Sequence, residues 1–400
     1  MRMTSRVTLM TLAWIFMYPF LALGVAVSAY TGTQIRGIYS MGLVLACASG
    51  IVVMWRWRLG VMDGVFAAFL TWVLLCTIAC YASGTHTLQE LSPYLLSIGW
   101  YMGAYSLGRQ FNFLAERERL LLALVLIVAT LLPWIDWNYL YLAVEAPEGG
   151  DRGSYQEAAK AMSMTAIFAL CVIERKWHIL FVVTITIAML FVIGARSEFY
   201  SFVGGIACAI VLLNFRPYFW IRAALVVGII MMLIGIFYSD LDFSSRNFQL
   251  LTGHDRSLEV RLALFAPILE PLLEDGVSIL LGDLLSYQRI TGNAGLYIHN
   301  ALSVFSDFGI MGFGLYMSLC LGAIVILIKH NGGYQRFGLF VLMFSSIFMI
   351  IAAKSFFWFE IAFFWGLAAQ LVEHAKNAER GLSWYSIKCI LPDRQIRRGL

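Results

Sequence analysis

Apolar residues run on for about 20 positions at a time along most of this chain, the length needed to cross a bilayer as a helix. Such runs fall near residues 8–30, 37–54, 60–82, 93–108, 120–141, 158–173, 179–195, 199–215, 219–238, 300–328, 337–353 and 356–372. The pattern predicts an all-α polytopic membrane protein with about 12 transmembrane helices, folded as a single integral membrane domain over residues 1–400. Arg2 and Arg6 precede the first run. That run, of about 23 residues, exceeds the ~7–15 of a signal-peptide core and has no small-residue cleavage site behind it, so it is expected to remain as the first span.

One stretch breaks the pattern. Residues 239–298, between the ninth and tenth runs, are polar enough to lie outside the membrane. Loops of this length are usually functional or disordered, and this one carries helical periodicity. In "SLEVRLALFAPILEPLLEDG", Leu258, Leu262, Phe265, Leu269 and Leu272 recur on one helix face, with Ser257 or Asp255 able to cap the start. At 100° per residue Arg261 falls at the edge of that stripe, while Glu259 and Glu270 fall opposite it. The helix is expected to rest on the membrane domain with Arg261 turned inward, to bend or break at Pro267 and Pro271, and to stop at Gly276.

Composition agrees: 60% of residues are hydrophobic and 13% charged, against roughly 25% charged in soluble domains. Charge placement supplies orientation. With the N-terminus in the cytoplasm, an even number of spans returns the C-terminus to the same side. Most Lys and Arg, including Arg56, Arg58, Arg109, Arg117, Arg119, Arg175, Arg216, Arg222, Lys329 and Arg336, then face the cytoplasm, as the positive-inside rule requires. The net charge of +4 is thereby accounted for without a nucleic-acid partner. Arg36, Arg152, Lys160, Arg196, Arg246, Arg256, Arg261, Arg289 and Lys354 are left outside, four of them in the 239–298 loop. The seven cysteines sit in apolar runs or the basic tail and read as small packing residues rather than a disulfide framework.

Candidate chemistry gathers on that outer side. Arg196, in "GARSEF" at Gly194–Phe199, either snorkels or pairs with Glu198, or faces a cavity where its guanidinium forks onto phosphate oxygens. Arg261 has the same two readings, with its place beside the apolar stripe favouring a ligand. Arg256 and Arg289 are secondary binding candidates that a polar loop also holds as solvated charges. His299 begins "HNALSVFSDFGIMGF"; it has no Cys or His at metal-ligand spacing, so a metal is not expected. An imidazole suits proton transfer from a hydroxyl at neutral pH, although His299 also reads as a residue at a helix start with Asn300 as N-cap. Asp307, eight residues on, is expected to be paired or to face water, with a structural ion pair to an arginine the favoured role. Asp63, Asp136, Lys354 and Glu360 read as interfacial or packing charges.

Together these elements resemble the bacterial O-antigen polymerase and O-antigen ligase superfamily. The likeness rests on "HNALSVFSDFGIMGF" with its glycine pair Gly309 and Gly312, on "GARSEF", and on "EVRLALFAPIL" followed by "LLGD". It covers roughly residues 180–330, in matching order and with a long loop before the histidine. The resemblance implies a metal-independent glycosyltransferase of the bacterial inner membrane, both termini cytoplasmic, working at the periplasmic face without a cofactor. The donor would be a glycan on undecaprenyl pyrophosphate and the acceptor another glycan or lipid A core, with membrane lipid around them and a chain-length regulator as a possible partner. Carried over residue by residue, Arg196 and Arg261 would bind and stabilise the departing pyrophosphate, while His299 would activate the acceptor hydroxyl; Asn300, Arg256 and Arg289 would line the substrate. The stretch after the histidine looks more like polymerases than ligases.

Two other classes fit parts of the sequence. A transporter, including one for the same lipid-linked glycan, also uses twelve spans, but such proteins show related halves and midplane charges. Neither is visible here. A non-catalytic membrane scaffold would leave the outward arginines and His299 without a role.

Overall fold

The structure is a computed structural model that describes residues 2–31, 59–111, 116–137, 141–142, 154–173, 175–213, 263, 265–292, 298, 300–329, 336–352 and 356–379. These are mostly helical. In chain order the helices are α1 (Arg2–Thr31), α2 (Val61–Ala82), α3 (Leu88–Gln110), α4 (Arg117–Leu131), α5 (Ser154–Val172), α6 (Lys176–Ile193), α7 (Arg196–Leu212), α8 (Phe265–Glu274), α9 (Gly276–Leu281), α10 (Ser286–Thr291), α11 (Leu302–Lys329), α12 (Arg336–Ala352) and α13 (Glu360–Glu379). One antiparallel pair among the described residues, β1 (Ile135–Asp136) with β2 (Tyr141–Leu142), sets Ile135 opposite Leu142.

Among the described residues, four helices are long and apolar enough to cross a membrane: Trp14–Thr31 within α1, then α2, α6 and α11. The other described helices at expected spans are shorter or less apolar. The runs expected at 37–54 and 219–238 lie outside the described residues. The run expected over 120–141 ends early: α4 stops at Leu131, and Leu132–Trp134 form a 3-10 turn before β1. Pro133 has no N–H to continue the helical ladder, which accounts for the stop.

The chain divides into two compact units that interleave in sequence. The first comprises residues 1–43, 112–254 and 332–345. At its centre α5 is apolar on nearly all sides, with Ala158, Ala159, Ala161, Met162, Ala166 and Phe168 among its buried residues, the signature of a helix enclosed by others. Trp14 and Tyr18 of α1 pack on Phe168. Gly338 of α12 lies so close to the Leu170–Cys171 backbone that a Cβ there would meet Cys171 N at 2.2 Å.

The second unit comprises residues 44–111, 255–331 and 346–400. Its core is aromatic: Phe66 stacks on Tyr105 at 3.9 Å, Tyr101 on Phe356 at 5.3 Å, and Tyr316 meets Trp365 edge-on at 5.2 Å. Here α3 and α13 run parallel and pack backbone to backbone. A Cβ on Gly108 would reach Phe363 O at 2.1 Å, and one on Gly366 would reach Tyr105 O at 2.0 Å. Small residues permit this approach, the usual means of joining helices where lipid removes the hydrophobic driving force.

At one end of this packed set lies a charge cluster. Arg109 donates from Nη2 to Asp63 Oδ2 at 2.9 Å and from Nη1 to Glu373 Oε2 at 2.8 Å. Tyr105 donates to Asp63 Oδ1 at 2.8 Å, and the Gly60 N–H to Oδ2 at 2.7 Å. Asp63 is therefore more than an interfacial charge, since it is 5% exposed and fully engaged. Buried charges persist only when paired and hydrogen-bonded, and three helices contribute to this pairing.

The segment expected to be an external loop is ordered over residues 265–292. On α8, Ile268 and Leu272 are buried, with Phe265 and Leu269 beside them half-buried, so the apolar stripe is real where it is described. Contrary to expectation, α8 continues through Pro271 to Glu274. Gly276 opens α9 instead of closing α8, because Asp275 takes an extended conformation and its carboxylate accepts the N–H groups of Val277 and Ser278 at 3.2 and 3.0 Å.

Candidate functional site

The candidate residues divide between the two units. In the first, Gly194 closes α6 with φ 73°, its N–H shared by the carbonyls of Leu190 and Phe191 at 3.2 and 3.0 Å. Glycine enters this left-handed region without steric cost. The turn delivers Arg196 as the first residue of α7, half-buried. A cation opposes the positive end of a helix dipole, and an acid in the same turn offsets it. Glu198 does so here: it is 1% exposed and accepts the Ser197 hydroxyl at 2.7 Å.

In the second unit the site is built around the start of α11. Arg256, Arg261 and His299 lie outside the described residues, but the neighbours of His299 are placed. Ile298 is buried. Asn300 turns its Oδ1 onto the Leu302 N–H at 2.9 Å and so caps α11. The Ala301 N–H reaches the Ile350 carbonyl at 2.6 Å, and the Ser303 hydroxyl accepts the Phe356 N–H at 2.9 Å. Tyr101 in turn holds the Phe356 carbonyl at 2.6 Å. The backbone directly after His299 is thus fixed from its own helix, from α12 and from the turn before α13.

Arg289 on α10 is exposed and forms an ion pair with Asp283, six residues back. Asn300 likewise has its side-chain carbonyl committed to the cap.

Asp307 departs from expectation. Its partner among the described residues is a phenol, not an arginine: Tyr94 of α3 donates to Oδ2 at 3.2 Å. The Leu285 backbone amide lies close to the same carboxyl group. Asp307 is 2% exposed, and its Oδ1 has no hydrogen-bond partner of ordinary geometry. Tyr287 stands within hydrogen-bonding reach of Tyr94.

Two residues beyond Asp307 the helix breaks. Gly309 has φ 65° and ψ −170°, so α11 is two helical pieces joined at a kink. Two carbonyls at the break are occupied: Phe308 O accepts the Trp72 indole N–H at 2.9 Å, and Ser306 O accepts the Asp283 N–H at 2.7 Å. The turn after α9 presses directly into this kink. A Cβ on Gly282 would sit 2.4 Å from Asp307 C, and one on Gly309 would sit 2.3 Å from Leu280 O.

Tyr94, Trp72 and the Leu280–Tyr287 turn were not visible as site residues in the sequence. Tyr94 and Asp307 are 213 positions apart, and an aromatic residue in an apolar run reads as core. The available signal was Gly282 of "LLGD" and, separately, Gly309, since a glycine in apolar surroundings marks a point of close backbone approach.

No protein-family model, curated protein or solved structure matches this chain.

Proposed function

We propose that this protein is a membrane glycosyltransferase that polymerises undecaprenyl-pyrophosphate-linked oligosaccharide repeat units at the periplasmic face of the bacterial inner membrane. The reading includes about twelve spans with both termini in the cytoplasm. The observation that carries it is the start of α11. A titratable residue, His299, immediately precedes a backbone fixed by three separate hydrogen bonds, at the mouth of a helix apolar enough to cross a membrane. A general base needs such fixed placement at the height where a lipid carrier holds its pyrophosphate.

In the proposed reaction the acceptor hydroxyl oxygen forms a bond to the anomeric carbon of the donor glycan. The bond from that carbon to the pyrophosphate oxygen breaks, and its electron pair leaves with undecaprenyl pyrophosphate. His299 takes the hydroxyl proton, and Arg196 and Arg261 stabilise the charge gained by the leaving group, as preorganised cations do best in a partly dry site. Arg256 and Arg289 bind substrate more peripherally.

Transport has one observation in its favour, the broken helix α11, because transporters bind ions at such breaks. Two carbonyls at the Gly309 break, Phe308 O and Ser306 O, however already accept from Trp72 and Asp283, which counts against an ion site built on them.

The test is a surface-polysaccharide chain-length assay in cells whose own gene is replaced by His299→Ala, Arg196→Ala or Arg261→Ala. Polymerisation predicts loss of long chains while single repeat units stay attached. Complete loss of attached glycan would point to a ligase that transfers to lipid A core. Normal glycan in all three variants at normal protein levels would end the enzymatic reading.

A further inference from the structure

We infer that Asp307 is a positioning residue that docks the Leu280–Tyr287 turn onto the broken start of α11. It thereby seats residues 280–287, which lie in sequence between Arg261 and His299. The inference rests on the functional reading above for its consequence, though not for its geometry.

Four observations carry it. Asp307 accepts from the Tyr94 hydroxyl of α3, and the Leu285 amide of the turn lies close to the same carboxyl. Leu285 has φ 62°, the one positive-φ residue other than glycine among the described residues, and it is buried. A branched side chain held in that region costs energy and persists where surroundings impose it. The imposed conformation is the one that places its amide by the Asp307 carboxyl. The turn also packs without side chains between it and the helix, at Gly282 against Asp307 and at Gly309 against Leu280, so it has no slack to adopt another seat. Finally, Asp283 reaches in with its N–H to Ser306 O while its carboxylate holds Arg289 outside.

A purely structural role explains Asp307 poorly. A carboxyl only 2% exposed is a costly way to pack a helix, and an apolar residue of similar volume would serve better. The carboxyl group is instead suited to holding two donors that come from different elements.

The experiment compares Asp307→Leu, Tyr94→Phe and Asp307→Asn with the parent in lipid nanodiscs, reading amide hydrogen exchange peptide by peptide alongside the glycan chain-length assay. Asp307→Leu and Tyr94→Phe are expected to speed exchange over residues 276–292 by about tenfold or more, while exchange across α3 and α13 stays unchanged. Both are expected to shorten the glycan. Asp307→Asn keeps an acceptor oxygen and is expected to restore slow exchange and long chains. Unchanged exchange at 276–292 in Asp307→Leu would overturn docking by Asp307. Faster exchange with wild-type chain length would overturn its bearing on the site, and faster exchange throughout the protein would reduce it to a folding residue. Failure of the functional reading shows separately, as normal glycan in His299→Ala, and leaves the exchange comparison decisive for docking.

Discussion

At the residue scale the clearest consequence concerns Arg109. Its side chain is 3% exposed and that of Asp63 4% exposed. Replacing Arg109 with Met would leave a buried carboxylate without its cation. Breaking a buried pair by removing one partner costs about 3 to 5 kcal/mol, so Arg109→Met is expected to lower the melting temperature of the purified protein sharply. Asp63→Asn with Arg109→Met should recover part of that loss, and equal melting of parent and single variant would show the pair to be dispensable. Asp275 works at the opposite extreme of exposure. Its carboxyl is held below the usual carboxylate range, first by the Ser278 hydroxyl and then by the Val277 and Ser278 amides. A group whose folded pKa is depressed stabilises above its unfolded pKa, and that stability is lost as pH falls through the folded value. The cap on α9 is therefore complete at neutral pH and is expected to weaken only below about pH 4. Asp275→Asn, a comparable cap, should remove that acid dependence, and hydrogen exchange of residues 276–281 corrected for intrinsic rates would measure it.

At the scale of elements, the parallel contact of α3 with α13 depends on Gly108 and Gly366, whose absent side chains are what allow the approach. Leucine at either position would drive the helices apart. Gly108→Leu or Gly366→Leu is expected to yield protein that elutes as aggregate in detergent, whereas Gly64→Ala, where a Cβ meets nothing within 4 Å, should behave as the parent. Capping shows how unevenly such detail can be read in advance. Thr87 and Glu90 form a reciprocal capping box at the head of α3, Thr87 N–H to Glu90 Oε2 at 2.8 Å and Glu90 N–H to Thr87 Oγ1 at 3.3 Å. The T-x-x-E spacing announces it in sequence, as the asparagine after His299 announces the cap of α11. The persistence of α8 through Pro271 was not legible in the same way. A proline removes one helical bond and strains one turn, and whether burial of Ile268 and Leu272 outweighs that depends on what α8 packs against.

For the whole molecule, the proposed orientation puts both termini in the cytoplasm and residues 276–292 outside. Single cysteines at Ser5 and at Val277, in a background with native cysteines replaced, should label from opposite sides of sealed cells with a membrane-impermeant maleimide, Val277→Cys reacting from outside. Labelling of both from the same side would reject the orientation. Membrane character, helical content and the position of most helices were fixed by local composition, because a bilayer demands about 20 apolar residues wherever it is crossed and hydropathy needs no partner to be read. The cap at Asn300 and the glycine stop at Gly194 are local in the same sense. The pairing of Asp307 with Tyr94, the capture of Phe308 O by Trp72, the clamp of Arg109 between Asp63 and Glu373, and the seating of Gly282 on a broken helix were decided by the tertiary structure alone. Each joins residues far apart in the chain across a few ångströms, and hydrogen bonds and steric contact act over that distance only once folding has chosen the neighbours.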